Sequence, residues 1–89
     1  METETTLSRV GRIWTELLNV PGVGDADHFV EMGGDSIAAM MCVARIAAEF
    51  GVDIPVATLF LDDTTLRVLA DIIDSAIAAP AAAADAAAL

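Results

Sequence analysis

The sequence Asp27-His28-Phe29-Val30-Glu31-Met32-Gly33-Gly34-Asp35-Ser36-Ile37 decides the fold of this chain of 89 residues. It completes a glycine-rich segment, residues 19–35, that also contains Pro21 and therefore predicts a long irregular loop. Directly after it, a strongly apolar helical pattern begins, for which Asp35 or Ser36 can serve as the N-cap. The stretch thus predicts a loop that crosses the molecule and delivers an exposed serine to the start of a helix.

Two amphipathic helices flank this loop. Apolar residues recur every three or four positions from Thr6 to Leu18, which is typical of a helix that buries one face and that Thr5 or Thr6 can cap. The second helix is predicted to run from the serine to about Phe50, where Gly51 suits the left-handed position after a helix end. On a helical wheel, its core-facing side comprises Ala39, Val43, Ile46 and Phe50.

The remaining sequence predicts two further helical pieces. Residues 55–61 allow one short helix, and a last helix is expected to begin near Thr64 or Thr65 and to stop before Pro80. The stripe expected to be buried on this last helix comprises Leu66, Leu69, Ile72, Ile73 and Ile77.

The pattern as a whole predicts an all-α fold. There is no strand-like alternation and no internal repeat, so we expect a small bundle of three main helices plus one short helix, with a long loop between helices one and two. A single domain is expected over residues 6–79, and the alanine-rich residues 80–89 are expected to form a tail or linker.

Composition narrows the classes of partner and site. Four arginines, no lysine and fourteen acids give a net charge of -10, which argues against nucleic acid and anionic membranes and favours a basic protein partner. The acidic N-terminus does not resemble a signal peptide, and no uncharged apolar run is long enough to span a bilayer, so we expect a cytoplasmic protein. Cys42 is the single cysteine, expected to pack within its helix, and the scattered aspartates lack the spacing of metal ligands.

Ser36 is the candidate functional residue. As a catalytic nucleophile it would need a base, but His28 is the only histidine, it lies in the loop, and the rest of a triad is missing. We therefore predict no catalytic residue. A phosphate on the hydroxyl would be stabilised by the N–H groups of the first helical turn, although Asp35 opposes it unless a metal or a basic partner intervenes. The alternative that Ser36 is only a helix cap stays open at this point.

The second helix carries more apolar surface than one core contact requires. Ile37, Met40 and Met41 lie outside its core-facing side, beside the serine, and predict a face for docking of partner proteins. The alternative is that another helix of the bundle covers them.

Residues 27–46, DHFVEMGGDSIAAMMCVARI, resemble the phosphopantetheine attachment segment of peptidyl carrier domains, also called thiolation domains, of nonribosomal peptide synthetases. The residues that carry the resemblance are Asp27, Phe29 and the run from Gly33 to Ile37, and the double glycine favours peptidyl over fatty-acid carriers. The resemblance extends to residues 13–14, 44–46, 65–66 and 69–70. Two departures are Val30, in place of a second aromatic, and the lack of a proline within residues 60–65, which leaves the local shape there open.

The resemblance implies an acyl-carrier-protein-like fold and a non-enzymatic carrier in nonribosomal peptide biosynthesis. Ser36 would receive 4′-phosphopantetheine from coenzyme A through a magnesium-dependent phosphopantetheinyl transferase, and the thiol of the arm would hold an aminoacyl or peptidyl group as a thioester. Gly34 and Asp35 would belong to the attachment site, with Asp35 helping to place the metal or the transferase. Ile37 and Met40, with Met41 beside them, would belong to the recognition helix.

The resemblance also implies the partners: the transferase, adenylation or condensation enzymes, and tailoring enzymes. We expect a monomer, and a free-standing carrier because the chain opens with its own methionine. The alternatives are an acyl carrier protein of a polyketide or fatty-acid pathway and, from another class, a helical docking module without a prosthetic group. A serine hydrolase is the most remote alternative.

Overall fold

The computed structural model describes residues 4–78 and confirms the all-α prediction. Its elements are helix α1 (Thr6–Leu18), helix α2 (Ser36–Phe50), a short 3₁₀ helix (Val56–Phe60) and helix α3 (Leu66–Ala78). A long loop joins α1 to α2, as predicted. The expected tail at residues 80–89 and the expected stop before Pro80 lie outside the described residues.

Helix α1 begins and ends with local signals that the sequence carries. The Oγ1 atom of Thr5 accepts a hydrogen bond from the backbone N–H of Ser8 at 3.0 Å, which satisfies one free donor of the first turn. At the other end Asn19 takes the left-handed conformation, with φ of 54°, and its N–H donates to the Thr15 carbonyl. Asparagine adopts this conformation more readily than most residues with a side chain.

The core is a single apolar cluster to which every element contributes. Its largest members are Trp14 from α1 and Phe29 from the loop, whose rings meet edge to face with centroids 5.3 Å apart. Such aromatic pairs contribute about 0.5–1.5 kcal/mol beyond the area that they bury. Phe29 therefore anchors the loop to the bundle.

The loop also forms the cap of α3. The N–H of Leu66 donates to the Asp27 carbonyl at 2.9 Å, and the N–H of Arg67 donates to the Asp25 carbonyl at 3.0 Å. The Oγ1 atom of Thr65 accepts from the N–H of Val68 at 3.2 Å, and α3 begins at Leu66, next to the start predicted near Thr64 or Thr65. These contacts define the start of α3 without the proline that the family pattern places before it.

The predicted buried stripe of α3 is partly wrong. Leu66, Leu69 and Ile73 are buried, but Ile72 is 36% exposed and Ile77 is 45% exposed. At about 100° per residue, Ile72 points more than 90° away from the centre of the buried stripe. Ile77 lies on the buried side but beyond the end of the neighbouring helix. The hydroxyl of Thr6, the first residue of α1, donates to Asp74, so α3 extends past α1 after that point.

Candidate functional site

The approach to Ser36 is a tight turn built around the backbone of Phe29. The Phe29 carbonyl accepts hydrogen bonds from the N–H groups of Met32 at 3.2 Å and Gly34 at 3.0 Å, and the Val30 carbonyl accepts from Gly33 at 3.0 Å. Because the Phe29 ring is fully buried against Trp14, this turn is fixed to the core at one end. The position of the serine therefore depends on the packing of Phe29.

The two glycines of the turn are required for different reasons. Gly33 has a φ of +99°, a backbone conformation that residues with a side chain rarely adopt. Gly34 instead lies against Phe29: a Cβ at this position would overlap the ring and would stand 2.8 Å from the Phe29 carbonyl oxygen. Gly33 thus permits the turn, and Gly34 permits the close approach of the backbone to Phe29.

Asp35, not Ser36, is the N-cap of α2. Its Oδ1 accepts a hydrogen bond from the N–H of Ala38 at 2.8 Å, and its carbonyl accepts from Ala39 at 2.9 Å. Ser36 is the first residue of the helix and is exposed, and within residues 4–78 no hydrogen bond to its hydroxyl is formed. The cap role that the sequence left open for Ser36 is therefore filled by its neighbour, and the serine hydroxyl faces solvent.

A phosphate ester at Ser36 fits this helix end. Among the described residues, the backbone N–H groups of Ser36 and Ile37 donate to no protein acceptor, so they are available to phosphate oxygens. The helix dipole adds positive potential at the same place. The Asp35 carboxylate is the opposing charge, and a divalent cation or a basic partner would offset its repulsion during attachment.

His28 is not placed as a base for Ser36. Its Nδ1 atom lies 3.4 Å from Oε1 of Glu31, and its backbone pairs with that of Thr65. Its side chain is 29% exposed, so His28 is half-buried at the loop surface. In the part of the chain that the structure describes, no group of three or more histidine, cysteine or acidic side chains could hold a metal ion.

The face predicted for docking is open to solvent. Ile37, Met40 and Met41 are 70%, 60% and 51% exposed, so within the described bundle no other helix covers them. The opposite side of α2 is buried through Ala39 and Ile46, while Val43 and Phe50 are half-buried. Sequence reasoning missed three more exposed apolar residues near this site, because single residues in a loop or a short helix carry no periodic signal: Val30, Phe60 and Leu61.

Cys42 packs in the core, as predicted. Burial raises the pKa of its thiol from 9.0 to about 11, while the Trp14 indole and Arg45 act in the opposite direction. The indole N–H itself makes no hydrogen bond of standard geometry. Because the thiolate is the reactive form, this cysteine is chemically quiet in the folded protein.

All four arginines of the chain are held in ion pairs. Arg9 lies 3.0 Å from Glu49 and over the Phe50 ring, and the other three pairs are Arg12 with Glu4, Arg45 with Glu16, and Arg67 with Asp25. The chain has no lysine, so no further side chain of fixed positive charge exists. The turn before Ser36 and the segment after the 3₁₀ helix therefore carry negative charge beside apolar side chains. The acidic residues of these two segments are Glu31, Asp35, Asp62 and Asp63.

No helix of the described residues is long and apolar enough to span a bilayer.

Comparison with known proteins points to one family. A family profile described as a phosphopantetheine attachment site matches residues 8–73. Among curated proteins, tyrocidine synthase 3 of Brevibacillus parabrevis is 35% identical over 71 residues, which is 80% of this chain and 1% of the relative. The phosphinothricin tripeptide synthetase PhsC of Streptomyces viridochromogenes is 43% identical over 56 residues, 63% of this chain and 5% of the relative. This chain thus spans only a small part of these relatives.

Solved structures give the same result. A peptidyl carrier protein in complex with the phosphopantetheine transferase Sfp and coenzyme A matches with a TM-score of 0.75 and 31% identity, over 83% of this chain and 95% of that chain. The solution structure of a prototype peptidyl carrier domain of modular peptide synthetases matches with a TM-score of 0.68 and 33% identity, over 81% of this chain and 93% of that one. BlmI, a type-II acyl carrier protein from Streptomyces verticillus, shares the fold at 22% identity, with a TM-score of 0.73 over 81% of this chain and 86% of that one.

Proposed function

Because this chain belongs to the phosphopantetheine attachment family, we propose that it is a peptidyl carrier whose Ser36 bears a 4′-phosphopantetheine arm. The assignment of the site rests on the different roles of Asp35 and Ser36 at the start of α2. Asp35 caps the helix, which leaves the Ser36 hydroxyl exposed beside two backbone N–H groups that donate to no acceptor within residues 4–78. The curated relatives are peptide synthetases and the structural neighbours at 31% and 33% identity are peptidyl carriers, which supports this class over an acyl carrier or a docking module without a prosthetic group.

Attachment requires only a nucleophile and a receptive helix end from this chain. The Ser36 Oγ attacks the phosphorus of coenzyme A that bears the pantetheine, a new P–O bond forms, and the bond to the departing adenosine 3′,5′-bisphosphate breaks. The hydroxyl proton passes to a base of the transferase, because His28 is engaged with Glu31 instead. The N–H groups of Ser36 and Ile37 then stabilise the phosphate.

Asp35 serves both the fold and the attachment. Its Oδ1 holds the Ala38 N–H, while among the described residues its second oxygen accepts no hydrogen bond and can meet a magnesium ion or a basic transferase side chain. Once attached, the arm supplies a thiol that holds an aminoacyl or peptidyl group as a thioester. A flexible tether raises the effective concentration of that group near each partner enzyme, so the carrier itself needs no catalytic residue.

Partner enzymes would dock on the exposed apolar face beside the attachment point. Ile37, Met40 and Met41 surround the first turns of α2, and methionine side chains adapt to surfaces of different shape. The transferase and an adenylation enzyme are the first partners to expect, since both kinds of assembly occur among the structural neighbours. Condensation and tailoring enzymes would use the same face, and we place the monomeric carrier in the cytoplasm.

Intact mass spectrometry tests this function. The protein is incubated with coenzyme A, magnesium and a broad-specificity phosphopantetheinyl transferase, and the wild type is expected to gain the mass of one phosphopantetheine. Ser36→Ala should gain nothing, whereas Ser75→Ala, which removes an exposed serine of α3, should be modified fully. An unmodified wild type would refute the carrier function, and an adduct that persists in Ser36→Ala would refute the site. Loading of the holo form by an adenylating enzyme with an amino acid, and not by an acyl transferase, identifies the peptidyl type.

A further inference from the structure

We propose that the aminoacyl end of the arm on Ser36 folds back into a small cavity between the loop and the 3₁₀ helix, where Glu31 and Asp62 attract its ammonium group. This inference rests on the proposed function and adds a site on the carrier that binds the aminoacyl end of the arm. The cavity is lined by seven residues, of which four are apolar: Val30, Leu59, Phe60 and Leu61. The other three are His28, Glu31 and Asp62.

The size of the cavity limits its occupant. Its volume is about 180 Å³, the space of roughly six water molecules at about 30 Å³ each. This is below the range of roughly 300–1,000 Å³ typical of pockets for drug-sized ligands. One amino-acid side chain with its α-carbon fills such a space. A long acyl chain is too large to fit in it. Leu59 is buried and closes the floor, while the other apolar residues form an exposed rim.

The cavity lies within reach of an arm on Ser36. The Phe29 carbonyl oxygen is 3.0 Å from the Gly34 nitrogen. Ser36 follows two residues after Gly34 and Val30 directly follows Phe29, so steps of 3.8 Å place their Cα atoms within about 15 Å. The arm spans roughly 16 Å from phosphorus to sulfur at the ~1.2 Å per bond of an extended backbone. The aminoacyl group therefore reaches the cavity wall without straining the tether.

The charge of the cavity selects the cargo. Glu31 and Asp62 bring two carboxylates to the wall, and the other ionisable side chain that lines it is His28, whose Nδ1 lies 3.4 Å from Oε1 of Glu31. Every arginine of the chain is paired elsewhere and the chain has no lysine, so no side chain of fixed positive charge balances the carboxylates. The ammonium of an aminoacyl thioester complements this site, an uncharged acyl group gains no electrostatic attraction, and an acyl group with a free carboxylate is repelled.

A wider groove of about 480 Å³ beside α1 offers no comparable selection. Its charged lining residues are Arg12 and Asp25, which pair with Glu4 and Arg67 respectively. Among the described residues, the charged side chains that could select a ligand in this groove are thus already in ion pairs within the protein.

The test compares two probes that differ by one amine. Wild-type protein is loaded at Ser36 with coenzyme A analogues that carry a valyl or an isovaleryl group through a stable amide, so that both have the same branched side chain and only the first has an ammonium. Loading is verified by intact mass. Nuclear Overhauser contacts from the probe methyl groups to Val30 and Leu61, and backbone amide shifts over residues 28–31 and 59–62, report occupancy of the cavity.

We expect contacts and shifts with the valyl probe and a population about 1.4- to fivefold lower with the isovaleryl probe, the range for exposed charge pairs. Glu31→Gln combined with Asp62→Asn should reduce the valyl population to the isovaleryl level, and high salt should do so in part. Asp71→Asn, which removes an exposed acid of α3, is the matched control and should change nothing. Equal occupancy by the two probes, or loaded valyl protein without contacts, would overturn the cargo inference alone. Failure of Ser36 to load would overturn the proposed function with it.

Discussion

Gly34→Ala tests whether the packing of Phe29 positions the attachment serine. A Cβ at this position would overlap the Phe29 ring and stand 2.8 Å from the Phe29 carbonyl oxygen. The ring cannot yield easily, since it is fully buried and packs edge to face on Trp14. The turn must therefore open, which weakens the hydrogen bond from the Gly34 N–H to the Phe29 carbonyl.

The expected loss of stability is the sum of the cost of overpacking and the cost of the weakened hydrogen bond. Overpacking a filled core costs about 1–3 kcal/mol, and a lost backbone hydrogen bond costs about 1 kcal/mol. We expect the free energy of unfolding to fall by about 2–4 kcal/mol. In a domain of this size the melting temperature then drops by roughly 8–32 °C.

Thermal unfolding followed by circular dichroism, together with Trp14 fluorescence, measures this loss and the change in ring packing. Gly22→Ala is the matched control, because a Cβ there has no neighbour within 4 Å and its φ is not positive. It should be neutral or more stable by about 0.4–1 kcal/mol through reduced chain entropy. If Gly34→Ala unfolds at the same temperature as Gly22→Ala, the close approach of Gly34 to Phe29 does not constrain the fold and the reasoning fails.

Three further outcomes are expected. Asp35→Ala should lower stability by about 1 kcal/mol through loss of the N-cap while Asp35→Asn retains it, and equal losses in urea titrations would contradict the cap assignment. Met40→Glu should keep cooperative unfolding, because Met40 is 60% exposed, yet weaken transfer to at least one partner enzyme in a loading assay; loss of cooperativity would show that Met40 belongs to the core. The folded pKa of the Cys42 thiol is raised from 9.0 to about 11, so the native state keeps a proton that the unfolded chain releases, and stability should fall by up to about 1.4 kcal/mol per pH unit between these values. Urea midpoints measured across that window should therefore decline more steeply in the wild type than in Cys42→Ala, and parallel curves would exclude this linkage.

The helices could be predicted from the sequence because their caps are local. Thr5, Asp35, Gly51 and Thr65 each have a side chain or a backbone freedom that defines a helix end within a few residues. The exposure of Ile37, Met40 and Met41 was predicted from helical periodicity, although only the structure excludes cover by another described helix. The choice between Asp35 and Ser36 as the cap needed the structure, since either residue type is suitable.

The features that the sequence did not reveal depend on distant packing. Ile72 and Ile77 were assigned to the core by periodicity, but the direction and offset of α3 against α1 leave both exposed. The cavity between the loop and the 3₁₀ helix joins residues 28–31 to residues 59–62, and no local pattern signals that these segments meet. The close approach of Gly34 to Phe29 was likewise invisible, because a glycine before a helix is also consistent with a simple turn.

The cap of α3 has a consequence for how the long loop can change in evolution or design. Backbone carbonyls of Asp27 and Asp25 accept the first two N–H groups of that helix, and only the third is accepted by a side chain, that of Thr65. Almost any residue can supply a carbonyl, so substitutions at these two positions keep the backbone acceptors and lose only the Asp25 pair with Arg67 and the hydrogen bond from the Gly24 N–H to the Asp27 side chain. An insertion or deletion between them and Phe29 instead shifts the acceptors out of register. The segment is thus expected to tolerate changes of sequence far better than changes of length, and libraries built on this scaffold should vary its residues at constant spacing.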